Sequence, residues 1–234
     1  MNTICIVQVR MDAQRLPGKV LLPVCGKPLL GHMLERLRRC ESLDEIVVAT
    51  SDGAEDGPIA FYAEFLGFPV YRGSLDDVLG RHFHAAVQHQ ADIVVRIPGD
   101  NPVPEPSEVD RMVNAYESGC WGSNLMQILG NGYPDGIGCE VFSAPMLTEA
   151  FRMSTEREHP HKYWFDYQTQ QATGNAPIIT VDCPSEFARP DVVLDVNTPE
   201  EYENIKAIYD ALYPDNPQFG IRDILTYLDA KVTA

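Results

Sequence analysis

The sequence predicts an α/β protein: a mostly parallel, Rossmann-like sheet with helices on both faces and a small inserted arm. Short apolar runs alternate with amphipathic helical stretches through the first hundred residues. The runs TICIVQV (3–9) and DIVVRI (92–97) are almost unbroken, as expected of strands covered on both faces. The resulting order β-α-β-α-β-α-β implies parallel pairing with crossover helices.

Each element has its own signal. After strand 3–9, KPLLGHMLERLRRC (27–40) sets Leu30, Met33, Leu34 and Leu37 at helical spacing. EIVVAT (45–50) is a second strand, and PIAFYAEFLG (58–67) is a helix closed by Gly67. PVYRG (69–73) is a short strand. DDVLGRHFHAAVQHQ (76–90) opens with acids that suit a helix N-terminus. Past residue 105 the rhythm loosens. A helix is expected over 107–119, a strand free to leave the main sheet over 138–143, and a helix over 144–151. The polar, aromatic segment 154–171 gives no assignment. Strands follow at 177–183 and 191–196. Thr198-Pro199-Glu200-Glu201 then reads as N-cap, first turn and capping box of a helix. With no repeat or linker, one domain spanning 1–234 is expected, its arm at about 133–175.

The 34 acidic against 18 basic residues give a net charge of −16, which excludes a general nucleic-acid binder and disfavours an anionic membrane surface. No apolar run approaches the roughly 20 residues of a spanning helix. The start MNTICIVQVR lacks a cleavable signal pattern, so a cytoplasmic location is expected. The six cysteines form no C-x-x-C pair and are expected to be free thiols. His82 and His84 are expected at the surface or in packing.

Against that acidity, VQVRMDAQRLPGKVLLPVCGKPLL (7–30) gathers Arg10, Arg15, Lys19 and Lys27 around Pro17, Gly18, Pro23, Gly26 and Pro28. The segment joins the first strand to the first helix, where open α/β sheets bind nucleotide phosphates. Glycine admits backbone N–H groups to an anion, and Arg adds bidentate geometry. R-x4-R-L-P-G-K is neither a dinucleotide nor a P-loop signature. A phosphate-binding loop is expected, with a solvated basic turn as the alternative.

This segment resembles the N-terminal signature of the cytidylyltransferases that make CMP-activated sugar acids. That family includes CMP-sialic acid and CMP-Kdo synthetases and the spore coat polysaccharide biosynthesis protein F branch. The likeness continues through EIVVATSD (45–52), FPVYRGSLDDVLGR (68–81), DIVVRIPGDNP (92–102), YPDGIGCEVFS (133–143), EREH (156–159) and LDVNTPEEYENI (194–205).

What the resemblance implies is transfer of CMP from CTP to an acceptor hydroxyl with release of pyrophosphate. Arg10, Arg15 and Lys19 match the family's triphosphate positions, with Arg10, Lys19 and Asp100 as catalytic groups. Lys27 serves helix solubility equally well. Thr50, Ser51, Asp52 and Arg72 would border the nucleotide pocket, with Arg81 facing it. Asp76 and Asp77 suit a helix cap. Tyr133, Asp135, Glu158 and His159 match the acceptor side, although Asp135-Gly136 also reads as a turn. Asp100 and Asp195, each at a strand end, would hold Mg²⁺ through oxygen ligands. The family commonly has V-D-T-P-E-D where this chain has Val196-Asn197-Thr198-Pro199-Glu200-Glu201. Asn197 keeps an oxygen ligand and loses the charge, so it would assist Asp195. The arm of relatives implies a homodimer. The acceptor is expected to be an acidic small molecule, a sugar acid such as a nonulosonic acid or else a phosphonate. A nucleotide-sugar glycosyltransferase and a non-catalytic nucleotide-binding protein are the competing readings.

Overall fold

A computed structural model describes residues 1–125 and 128–232. Seven strands form the main sheet: β1 (Thr3–Gln8), β2 (Glu45–Ser51), β3 (Val70–Gly73), β4 (Ile93–Pro98), β5 (Trp121–Ser123), β6 (Glu140–Ser143) and β7 (Ile178–Ile179). Their spatial order is β7-β5-β6-β4-β1-β2-β3. Parallel pairs join β1 to β2, β1 to β4, β2 to β3 and β5 to β7, whereas β6 runs antiparallel to both β4 and β5.

The helices are α1 (Leu29–Leu37), α2 (Gly57–Phe65), α3 (Val78–Gln88), α4 (Pro106–Ala115), α5 (Ala144–Met153), α6 (Pro199–Leu212) and α7 (Ile221–Val232). Alternation along β1 divides the core. Cys5 and Val7 pack with Leu30, Met33, Ile59 and Met112, while Ile4 and Ile6 pack with Leu79, Ala85, Phe142 and Leu147. Thus α1, α2 and α4 cover one face and α3 and α5 the other. A third cluster joins α6 and α7 to Ile137, Leu194 and Val196. Each buried Leu, Ile or Val contributes about 1.5–3 kcal/mol, and β4 buries Ile93, Val94, Val95 and Ile97, one more than β1 or β2.

Several expectations need correction. The strand at 138–143 stays in the sheet, as β6 between β4 and β5. The run 191–196 is no sheet strand: one bridge pairs Asp135 with Val193, and Val193 faces outward at 50% exposure. The run 177–183 contracts to β7, and β5 and α7 had no prior expectation. The unassigned arm becomes a short helical turn (Pro160–Tyr163) followed by a hairpin pairing Phe165–Asp166 with Gln171–Ala172. Trp164 and Phe165 anchor it, stacking on Phe142 and Trp121 at ring separations of 4.9 and 5.3 Å.

Two local expectations hold in detail. Asp77 caps α3 by accepting from Gly80 N at 2.7 Å. Thr198 and Glu201 form the capping box of α6.

Candidate active site

Beyond β1 the chain leaves the sheet as a loop whose first turn is fixed from below. Met11 N donates to Asp56 Oδ1 at 2.7 Å, and the second Asp56 oxygen accepts from Ser51 N at 3.1 Å. Burial pushes the Asp56 carboxyl up, but hydrogen bonds from Ser51 and Met11 outweigh it and leave the acid below its usual range. The loop closes where Gly18 N donates to Met11 O at 2.8 Å, with Gly18 left-handed at φ 71°. The Lys19 side chain therefore points inward.

Lys19 Nζ donates to Val196 O at 2.6 Å and Asn197 Oδ1 at 2.9 Å, and lies 3.6 Å from Asp100 Oδ2. Burial lowers its pKa, against the opposing pull of Asp100 and Asp195. One cation thus ties the loop, the end of β4 and the segment before α6 together. Arg10 and Arg15 line the same cleft, and neither has an ion-pair partner among the described residues.

Around Lys19 lies a surplus of carboxylates. Asp195 is pushed up to about 7 by burial first, then by Asp135, Asp100 and Glu201. Asp135 is raised as well, chiefly by burial. Gly136 makes this approach possible, because a Cβ there would strike the backbone of Leu194 and Asp195. Asn197 sits between the charges: Oδ1 accepts from Lys19 while Nδ2 donates to Asp195 Oδ2. Lysine only donates and an ionised carboxylate only accepts, so an amide satisfies both and a second carboxylate could not. The Asn197 oxygen, expected to assist a metal, here accepts from Lys19.

Among the described residues, no group of three or more His, Cys, Asp or Glu side chains is arranged to hold a metal ion. Oxygen donors from Asp100 and Asp195 still suit a hard cation, with further ligands left to phosphate and water. The Asp195 carboxyl, raised by burial and then by neighbouring acids, is the observation in favour, because a divalent cation would favour its ionised form.

The cleft encloses about 460 Å³, with Arg10, Arg15 and Lys19 on the loop side and Glu158 and His159 on the arm side. Its floor includes Gln8, Arg96, Gly99 and Asp100. Gly99 must be glycine, since a Cβ would collide with the Gln8 carbonyl oxygen.

The other expected residues lie elsewhere. Thr50 and Ser51 are buried at the end of β2, and Asp52 N pairs with Gly73 O at 2.8 Å. Arg72 folds back onto the carbonyls of Ser51 and Gly53 at 2.9 and 2.5 Å. Arg81 is 1% exposed, with Nη1 on the carbonyls of Ser74 and Leu75 and with Nε and Nη2 unpartnered among the described residues. These five form a neighbouring edge, not part of the cleft wall. Tyr133 needs a clear correction. It is fully buried, its hydroxyl bonded to Glu108 and Arg111, so it packs the α6–α7 core instead of meeting an acceptor. Asp135 belongs with the Asp100 and Asp195 carboxylates and not with the arm. Lys27 is spent on Glu35 and Tyr213, at 2.7 and 2.8 Å. His82 is fully buried with its pKa lowered to about 3 by burial, and His84 is exposed. All six cysteines are free.

Sequence reasoning missed Asp56, Gln8 and Arg96. Arg96 had a legible signal, a lone charge inside the apolar run DIVVRI.

A cytidylyltransferase family profile matches residues 4–209. The spore coat polysaccharide biosynthesis protein SpsF of Bacillus subtilis is 31% identical over 98% of this chain and 95% of its own length. A 3-deoxy-manno-octulosonate cytidylyltransferase of Anaeromyxobacter is 36% identical over 49% of this chain and 46% of its own length. Among solved structures, a cytidylyltransferase from Leptospira borgpetersenii superposes with a TM-score of 0.87 at 27% identity, covering 100% of this chain and 96% of its own. No helix among the described residues is long and apolar enough to cross a membrane.

Proposed function

Since the chain belongs to the cytidylyltransferase family and is a nucleotidyltransferase, we propose that it moves CMP from CTP to a hydroxyl of a small acidic acceptor, a sugar acid such as a nonulosonic acid. The observation that carries this is one cleft lined by Arg10, Arg15, Lys19 and Asp100, with Asp195 bonded to Asn197 behind Lys19.

In this reading the acceptor hydroxyl gives its proton to water and its oxygen bonds to the α-phosphorus as the bond to the bridging oxygen breaks. That electron pair leaves with pyrophosphate. Negative charge grows on the non-bridging and departing oxygens, so positioning and charge neutralisation do most of the work. Arg10 and Arg15 hold the β- and γ-phosphates. Lys19, fixed by three oxygen partners, presents a cation that does not reorganise. Asp100 and Asp195 would hold Mg²⁺, which supplies Lewis-acid stabilisation to the phosphate oxygens. Asn197 keeps Asp195 and Lys19 apart and oriented. Glu158 and His159, on the arm, meet the acceptor. Likeness to a polysaccharide biosynthesis protein supports a role in that kind of pathway, and pairing of two chains through the arm is part of the same proposal.

The test is pyrophosphate release from CTP and Mg²⁺ with a panel of sugar acids and phosphonates, using ATP in place of CTP as the control. Acceptor-dependent release with CTP alone supports the reading. Release that needs no acceptor, or none from any acceptor, would refute it.

A further inference from the structure

Arg96 is the one charged residue of β4, in a run otherwise apolar. It is 8% exposed and lines the cleft beside Gln8, near Glu158 and His159. Two sides of its guanidinium are pinned: Nε donates to Gln8 Oε1 at 3.1 Å and Nη1 to Glu140 Oε1 at 2.5 Å. The same fully buried Glu140 oxygen accepts from the Tyr167 hydroxyl at 3.1 Å, and His161 Nδ1 lies 4.0 Å away. Tyr167 and His161 belong to the arm, so this network joins the arm to the floor of the cleft. Nη2 is left with no acceptor among the described residues, and it is not among the nitrogens sealed from solvent.

A buried ion pair costs several kcal/mol per ion in desolvation and is often replaceable by apolar side chains without loss of stability. Placing one at the floor of a cleft, with the Nη2 nitrogen still open, suits ligand recognition better than support. Its chemistry also selects the ligand. Glu140 already neutralises most of the charge, so Arg96 fits a monoanion and not a triphosphate, which has Arg10 and Arg15 on the loop. A planar guanidinium held on two sides offers directed hydrogen bonds to a planar anion.

We propose that Arg96 recognises the carboxylate of the acceptor through Nη2, with Gln8 and Glu140 holding the guanidinium in place. Arg96 is then the residue that makes the enzyme specific for an acid. The exposed Glu158 carboxylate suits acceptor hydroxyls and not the acid group. This proposal rests on the cytidylyl-transfer reading above.

The experiment compares free acids with their methyl esters, which keep the sugar and remove the charge. The probes are 3-deoxy-manno-octulosonate and N-acetylneuraminate, within the wider panel of sugar acids, with CTP and Mg²⁺ present. Wild type is expected to favour the acid by roughly tenfold to a hundredfold in kcat/KM, the range for a hydrogen bond to a charged group. Arg96→Gln should remove that gap by raising KM for the acid while leaving KM for CTP unchanged. Arg96→Lys keeps charge and volume, guards against loss of folding, and should retain part of the gap. Glu140→Gln should narrow it, because the guanidinium is no longer held. A full acid–ester gap in either folded Arg96 variant, or a rise in KM for CTP instead, overturns the proposal. No turnover by wild type with any acid overturns the cytidylyl-transfer reading and Arg96's role with it. An active wild type with an unaltered gap in the variants sinks only Arg96.

Discussion

The loop over 9–22 and the arm over 154–173 bring charged side chains to the same cleft, but they hold them in opposite ways. On the loop, Arg10 and Arg15 have no ion-pair partner among the described residues, and only Lys19 is tied down. On the arm, Glu156 accepts from the backbone of Glu158 and His159 at 2.9 and 3.2 Å and pairs with Lys162 at 3.3 Å, and Arg157 pairs with Asp77 at 2.7 Å. Most of the arm's charges have protein partners, whereas Arg10 and Arg15 on the loop have no ion-pair partner among the described residues. In the proposed function the loop acts through charge, and the arm through the positions of Glu158, His159 and the network beneath Arg96.

The largest effect should come from the carboxylates opposite the loop. Asp195→Asn is expected to remove most activity, at least about a hundredfold, if Asp195 is a charged ligand of the proposed cation. Asn197→Asp sharpens the point. It sets a second carboxylate against Asp195 where an amide now donates, so it should slow turnover at neutral pH. Steady-state rates against Mg²⁺ concentration check both variants. Unchanged metal dependence in Asp195→Asn would put the cation elsewhere.

The same acid predicts a pH dependence. The folded-state pKa of Asp195 is raised from 3.8 to about 7, so its contribution to stability is present at low pH and fades as pH rises towards 7. Asp135 shifts in the same direction. Without divalent cation, the melting temperature should fall between roughly pH 4 and pH 7, and Asp195→Asn should flatten that fall. Added Mg²⁺ should restore stability at pH 7 and above if it binds the ionised pair. A flat wild-type profile across this range would contradict the assignment.

Loop and arm should separate cleanly under mutation. Arg10→Ala is expected to cost roughly tenfold to a hundredfold in kcat/KM, with an unchanged melting temperature, since it breaks no ion pair in the folded chain. Lys19→Ala should lose both activity and stability, because Asp100, Asn197 and the Val196 carbonyl lose their common donor. In the arm, Trp164→Ala removes an indole that is 1% exposed and should destabilise by about 3–5 kcal/mol, read by denaturant unfolding. Equal loss of stability in Arg10→Ala and Trp164→Ala would erase the contrast.

Much of this architecture was legible because its signals are local. β1 and β4 are almost unbroken apolar runs, and Thr198 to Glu201 contains a complete capping box. The loop cations stood out because they contradict the net charge of the chain. What was not legible depends on distance along the chain. Asn197 could be assigned only once Lys19, 178 residues earlier, was seen to reach it. Tyr133 was misplaced because its partners Glu108 and Arg111 lie on α4, with nothing in its own segment to announce burial. β5 is three residues, Trp121 to Ser123, too short to show alternation. The arm hides its anchors, Trp164 and Phe165, within a polar stretch.

The smallest effect concerns association. Sedimentation or light scattering at micromolar concentration should give the mass of two chains, and Tyr133→Phe should leave that mass and the acceptor KM unchanged. A one-chain mass would confine the arm to the acceptor.

The central claim is that the loop cations bind the triphosphate and not the cytidine. Calorimetric titration of CTP and of CMP into wild type and Arg10→Ala/Arg15→Ala, all with Mg²⁺, tests it directly. The account predicts that CTP affinity falls by roughly a hundredfold or more in the double variant while CMP affinity is little changed. Equal losses for CTP and CMP, or no loss for CTP, would contradict it.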